Sequence, residues 1–225
     1  MITTSMLTTS RSQRAGATSQ SGEAYRQIKE KIVTLELPPA APIDEARLIA
    51  ELGLGRTPIR EALQRLALEN LVVILPRRGT IVADLNMSDL QKIFEIRLEL
   101  EALAARLAAQ RATPAQVAAM EALFADADTL LHNGDNDALI RLDHQAHRLL
   151  AQAAHNEFLE ETLDRLYNHV LRLWYVALHR VQRLREAVEE HRAIIALVKA
   201  GDGEHAAQIM HEHVAAFQDQ FLSLR

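Results

Sequence analysis

From residue 86 to the end of the chain, apolar residues recur at helical spacing, and no stretch alternates as a half-buried strand does. That regularity restricts this half to helices packed on helices. "MSDLQKIFEIRLELEALAARLAAQRA" reads as one long helix, and Thr113-Pro114 starts a second that reaches about Leu131. "DALIRLDHQAHRLLAQAA", "EFLEETLDRLYNHVLRLWYVALHR", "RLREAVEEHRAIIALVKAGD" and "GEHAAQIMHEHVAAFQDQFLSL" supply four more. The expectation is an all-helical, bundle-like unit over residues 85–225. On its first helix Ile93, Phe94, Ile96, Leu98, Leu100, Leu103 and Leu107 cover more than one narrow stripe. A surplus apolar face of that kind implies burial against a second copy, hence a homodimer.

Residues 23–84 read differently. "EAYRQIKEKIVTLEL" places Tyr25, Ile28, Ile32 and Leu35 on one helical face, with Pro38 and Pro39 as its stop. In "PIDEARLIAELGL" Asp44 can cap, Leu48, Ile49 and Leu52 pack, and Gly53 closes. "RTPIREALQRLALEN" follows, with Thr57 as expected cap, Pro58 in the first turn and Asn70 as the stop. The period then changes: two β-branched runs flank "PRRG", the pattern of a hairpin. Helix, helix, turn, helix, hairpin is the order of a winged helix-turn-helix. The fold class expected is therefore mainly α, a winged helix-turn-helix followed by a helical bundle. Residues 1–22 hold no acid and ten Ser or Thr, and read as a disordered tail.

Charge supports this division. Residues 1–84 carry 11 Lys and Arg against 9 Asp and Glu, a net of +2; residues 85–225 carry 14 against 21, a net of −7. Only the first half suits a polyanion, and its small excess means local arrangement must do the binding. Arg56, Thr57 and Arg60 crowd the start of the second helix of the pair, where free N–H groups favour anions. Arginine offers a planar fork that fits phosphate or guanine. Arg77 and Arg78 stand at the hairpin tip, where Gly79 permits close approach to DNA. Taken one at a time these arginines are ordinary solvated charges; in this order of elements they read as a DNA-binding set.

The absence of cysteine excludes disulfides, thiol catalysis and zinc–thiolate sites, and fits a cytoplasmic location. No apolar run approaches the roughly 20 residues that cross a bilayer, so no membrane partner is expected. All ten histidines lie beyond residue 131. Asp143 and His147 are four apart and share a helical face; His191 and His213 border apolar stripes on two other helices. One carboxylate and three imidazoles suit zinc or another borderline divalent ion with one or two positions open. Hydrogen-bonded interior histidines, with Asp143 paired to an arginine, explain the same spacing. His132, His144, His155, His169, His179, His205 and His211 read mostly as solvated. Arg97, beside Ile93, Phe94 and Leu100, either lays its stem along apolar surface or offers a fork to a ligand carboxylate. Asn168, Arg172 and Trp174 are further candidates for the same cavity.

"RTPIREALQRLALENLV" with "PRRGTIVA" resembles the DNA-binding half of the GntR family of bacterial transcription regulators over roughly residues 24–84. The resemblance implies DNA contacts for Arg56 and Arg60, a phosphate contact for Thr57, and Gly79 at the wing tip. The arginine that members often carry in the preceding helix falls on Ala46, with Arg47 one step along. "LDHQAHRLLAQAAHN", "EEHRAIIALVKAGD" and "AAQIMHEHV" are similar to the helical effector domain of the FadR-like subgroup. That likeness implies a metal on Asp143, His147, His191 and His213, zinc first and nickel or manganese as alternatives. It also implies an effector carboxylate on Arg97.

The reading is a ligand-responsive DNA-binding regulator, expected to be a repressor. A homodimer would grip a palindromic operator, and a small carboxylate would bind at the metal. A regulator with a purely structural metal is the alternative. A metalloenzyme fits less well, because neither H-E-x-x-H nor paired Glu-x-x-His motifs occur.

Overall fold

The computed structural model describes residues 19–177 and 183–223. The first unit comprises α1 (Gln20–Val33), β1 (Pro42–Ile43), α2 (Glu45–Leu52), α3 (Arg56–Leu68), β2 (Val72–Leu75) and β3 (Gly79–Val82). Ser19 caps α1 by accepting from the Gly22 N–H, so the helix begins within the span expected as tail. The rest of that expectation, residues 1–18, lies outside the described residues. The α1 helix also stops before Pro38: Leu35 adopts φ +64° and the Leu37 N–H donates to the Lys31 carbonyl, 2.8 Å. Asp44 caps α2 and Gly53 closes it at φ +63°, as the sequence suggests.

Thr57 is not the cap of α3. The helix starts at Arg56 behind Gly55, which offers no side chain to the first N–H groups. Those donors therefore stay open at the surface. The helix ends before Asn70, which takes the left-handed conformation (φ +57°) that asparagine tolerates better than most residues. The hairpin forms as expected, β2 pairing antiparallel with β3 from Val72↔Val82 to Leu75↔Gly79. The two-residue β1 adds a third strand, sheet order β1-β3-β2. Ile28, Ile32, Leu48, Ile59, Leu63, Leu66, Val72 and Val82 fill the core between helices and sheet.

The second unit begins with α4 (Met87–Arg111), whose first turn is capped by Asn86. Then come α5 (Pro114–Leu123), α6 (Ala127–Asn133), α7 (Asn136–Ala153), α8 (Glu157–Ala177), α9 (Leu184–Ala200) and α10 (Gly203–Ser223). The single helix expected from Thr113 to Leu131 is two. Thr113 and Gln116 form a reciprocal capping box at the start of α5. The chain then bends at Phe124–Asp126, which buries both Phe124 and Ala127. A straight helix presents fewer residues to a core that lies on two sides. α4 and α10 run against each other closely: a Cβ at Gly203 would lie 2.9 Å from the Arg106 carbonyl oxygen. Among the described residues no helix is long and apolar enough to cross a membrane.

The units are packed together along α8. Lys29 on α1 pairs with Asp164 at 3.1 Å. His169 Nε2 meets the Glu69 carbonyl oxygen just past α3 at 2.9 Å, and the buried Arg172 guanidinium donates to the carbonyl of Ala83 behind the hairpin.

Candidate metal centre and nucleic-acid interface

Arg56, Thr57 and Arg60 all lie exposed at the start of α3, and Arg77, Arg78 and Gly79 lie exposed at the β2–β3 turn. Arg77 and Gly79 take positive φ values of 63° and 93°, which the tight turn requires. Arg60 is steered by Glu45 on α2, Nε to Oε2 2.8 Å, yet 59% of its side chain remains exposed. Arg47 is exposed and engaged with Glu51 of its own helix at 2.6 Å. No acid occurs in the first turn of α3. The face therefore combines open helix N–H groups with cations, the arrangement that holds phosphate.

In the second unit Asp143, His147, His191 and His213 come together from α7, α9 and α10, all buried, with one ligand atom from each inside a 4.8 Å span. His147 Nε2 and His213 Nε2 are 3.3 Å apart, and His213 Nε2 is 3.4 Å from Asp143 Oδ1. The opposite ring nitrogens are held from outside. His147 Nδ1 donates to Glu101 Oε2 (2.9 Å), His213 Nδ1 to Glu190 Oε2 (2.7 Å) and His191 Nδ1 to the Ala187 carbonyl (2.9 Å). Tyr167 donates its hydroxyl to Asp143 Oδ2. Asp143 Oδ1 and His191 Nε2 have no hydrogen-bond partner although buried.

When both rings are neutral with the proton on Nδ1, the Nε2 atoms of His147 and His213 carry lone pairs. These face each other and a carboxylate in a dry interior. Such facing acceptors repel unless a cation lies among them, and outer carboxylates on Nδ1 are what metal-binding imidazoles use. The donor set, three nitrogens and a carboxylate oxygen, fits a borderline divalent ion. Burial alone would raise the Asp143 carboxyl, but the three imidazoles outweigh it and hold it well below the usual carboxylate range. Burial pushes His191 down to about 3, so it stays neutral.

Arg97 is buried, and its fork is already occupied. Nε and Nη2 donate to Glu101 Oε1 at 3.2 and 2.9 Å, and the guanidinium lies 4.7 Å from the Tyr167 ring centroid. Arg97, Trp174 and Phe217 join the cluster around a cavity of about 10 Å³, room for one water. Of the three residues expected with Arg97, Trp174 lines this cavity; Asn168 and Arg172 do not.

Sequence reasoning missed Glu101 and Tyr167. Glu101 lies four residues after Arg97 on α4, a spacing that signals an ion pair but not the reach to His147. Glu190 directly precedes His191, yet it serves His213. The expectation of solvated histidines needs correction at two positions. His144 is half-buried and stacked on Tyr167 at 4.4 Å between centroids, and His169 is held by the Glu69 carbonyl. Helix–helix packing covers the first and unit–unit packing the second. His132, His155, His205 and His211 are exposed, and His179 lies outside the described residues.

Comparison with known proteins bears on both sites. Residues 20–82 match the family of bacterial regulatory proteins called gntR, and residues 92–216 match the FCD domain. The HTH-type transcriptional regulator YdhC of Bacillus subtilis (strain 168) is 31% identical over 193 residues, 84% of this chain and 85% of that one. The probable D-xylose utilization operon transcriptional repressor of Paenarthrobacter nicotinovorans is 31% identical over 206 residues, 92% and 90% of the two chains. In fold, the chain is similar to McbR/YncC of E. coli: TM-score 0.81, 24% identity, 92% of this chain and 98% of that one.

Proposed function

The chain belongs to the GntR family of bacterial regulatory proteins and carries an FCD domain; on that premise we propose how it works as a DNA-binding transcription regulator. It is a repressor acting in the cytoplasm, with a winged helix-turn-helix over residues 23–84 and a helical sensing and dimerising unit over residues 85–225. Its families and relatives are regulators and not enzymes. Arg56, Thr57 and Arg60 enter the major groove, while Arg77, Arg78 and Gly79 follow the adjacent backbone or minor groove. A homodimer presents two such faces to a palindromic operator. Ile96, Leu100, Leu103 and Leu107 on α4, spaced for one helical face, remain partly or largely uncovered in the single chain and supply the dimer contact.

Asp143, His147, His191 and His213 hold a divalent ion, zinc before nickel or manganese, and a small carboxylated metabolite binds beside it with Arg97. The observation that carries this reading is the pair of imidazole Nε2 atoms 3.3 Å apart, both turned into acceptors by Glu101 and Glu190. The metal supplies charge for an anionic ligand. The chain's own residues fix its position: Glu101 orients His147, Tyr167 orients Asp143, and Arg97 anchors Glu101. One observation favours a second reading, a purely structural metal: the cavity of about 10 Å³ beside Arg97 admits no carboxylate without movement.

Metal analysis of the purified protein, with melting before and after chelation, tests the metal. Titration of small organic acids while following operator release tests the sensor. Stoichiometric ion, a lower melting temperature without it and release by an acid are expected. An ion-bearing protein that no acid releases supports the structural reading. Absence of ion uptake and of any stabilisation by zinc overturns both.

A further inference from the structure

Helix α3 carries one cation that a neighbouring helix aims. Arg60 Nε donates to Glu45 Oε2 at 2.8 Å, and the acid stands on α2, the other helix of the pair. Glu45 is the first residue of α2, directly after its cap Asp44. The positive end of the helix dipole steadies a carboxylate there, and the turn through Gly53 sets α3 across α2 so that Arg60 meets it. Glu45 is the more covered of the two, with 31% of its side chain exposed against 59% for Arg60. The acid is therefore the fixed partner and the arginine the reaching one. Among the described residues Arg56, Arg77 and Arg78 form no ion pair, so Arg60 differs in kind from the other cations of the DNA face.

An ion pair between exposed groups adds little to the stability of a fold. Its effect here falls on what Arg60 can recognise. With Nε engaged, the terminal Nη1 and Nη2 groups keep a pair of parallel N–H donors, which match the O6 and N7 acceptors of guanine. A guanidinium already held in place also loses less freedom when it binds. The carboxylate beside it repels phosphate, so the pair suits an uncharged base edge better than the DNA backbone.

We infer that Glu45 is a positioning residue of the DNA-binding unit: it holds Arg60 for one guanine and weakens its grip on phosphate. It thereby lowers affinity for DNA in general and raises discrimination between sequences. This rests on the DNA face proposed above.

The test is fluorescence anisotropy of the full-length protein on two duplexes, one selected by the wild type from a random pool and one of the same composition with its sequence shuffled. By charge alone, removal of an acid from a DNA face strengthens binding to both duplexes alike. As a positioning residue Glu45 behaves differently. Glu45→Ala should bind the shuffled duplex more tightly and the selected duplex about 10-fold more weakly. Glu45→Gln still accepts from Nε and should keep most of the discrimination. Glu45→Ala added to Arg60→Ala should weaken the selected duplex no further than Arg60→Ala alone. A second selection with the Glu45→Ala protein should relax the demand for guanine at one position of each half-site. Equal strengthening on both duplexes in Glu45→Ala would overturn the proposal, as would the same loss on the selected duplex when Arg60 is already absent. Unchanged binding of the selected duplex by Arg60→Ala would overturn the assignment of Arg60 to the DNA face, and the proposal with it.

Discussion

Glu101→Gln is the most informative single change, because it alters one charge in the buried core and leaves shape and all four cluster residues in place. Glu101 is 1% exposed and receives both Arg97 and His147. Burial would raise its carboxyl, but His147 and Arg97 together bring it down from 4.5 to about 2. An anion favoured to that extent is stabilised by about 3 kcal/mol. The neutral amide forfeits that stabilisation and leaves the Arg97 guanidinium buried without a counter-charge, a loss of the size seen when a buried pair is broken. For a helical unit of this size about 3 kcal/mol corresponds to roughly 10 °C in melting temperature. The sign with pH follows from the depressed carboxyl. Its contribution is fully present above 4.5 and is lost as pH falls toward about 2, so the two proteins should converge over that window. Glutamine can still accept from His147 Nδ1 but without the charge that makes the ring a stronger ligand, which should lower zinc affinity by about 10–100-fold. Thermal melts of metal-free and zinc-loaded protein, with zinc affinity by competition against a chelating dye, read both effects. A metal-free melting temperature within about 1 °C of wild type at neutral pH, with unchanged zinc affinity, would refute the triad as described.

On the DNA side, Arg60→Ala should cost about 1–3 kcal/mol on the cognate operator, measured by fluorescence anisotropy; unaltered affinity in both the Arg56→Ala and Arg60→Ala proteins would contradict the assigned face. His144, lowered to about 4 in the folded chain, is neutral there while the unfolded chain takes up a proton below about 6.5. Stability should therefore fall as pH drops from 6.5 toward 4, and His144→Asn should flatten that slope by up to ~1.4 kcal/mol per pH unit in chemical denaturation. Light scattering should give the mass of a dimer, and Leu100→Glu/Leu103→Glu should give that of a monomer; a monomeric wild type at micromolar concentration would remove the surface assigned to α4.

Much of the architecture was legible because it is written locally. Asp44 and Gly53 bound α2 from within a few residues, and Pro76–Gly79 marks the hairpin by turn chemistry alone. Asp143 and His147 could be paired because four residues make one helical turn. What escaped is set by tertiary distance. Glu101 is 46 residues from His147, and Tyr167 is 24 from Asp143, so no spacing rule joins them. The bend after Leu123 contains neither glycine nor proline, and only the core it wraps requires it. Arg97 was legible as a cation beside apolar residues but neither in its burial nor in its partner: an arginine with such neighbours looks the same whether it awaits a ligand or grips a glutamate one turn away.

The two bonds that α8 makes to the DNA-binding unit through His169 and Arg172 both end on main-chain oxygens, those of Glu69 and Ala83. A main-chain acceptor is offered by any residue at that place. In these two bonds the helical unit grips its neighbour's backbone and not its side chains, beside the ion pair of Lys29 with Asp164, and the reading residues on α3 can diverge without loosening them. Such a joint allows exchange of parts: a winged-helix unit from a relative, cut in after Asp84, would meet His169 and Arg172 with the same two oxygens and bring its own operator preference to this sensor.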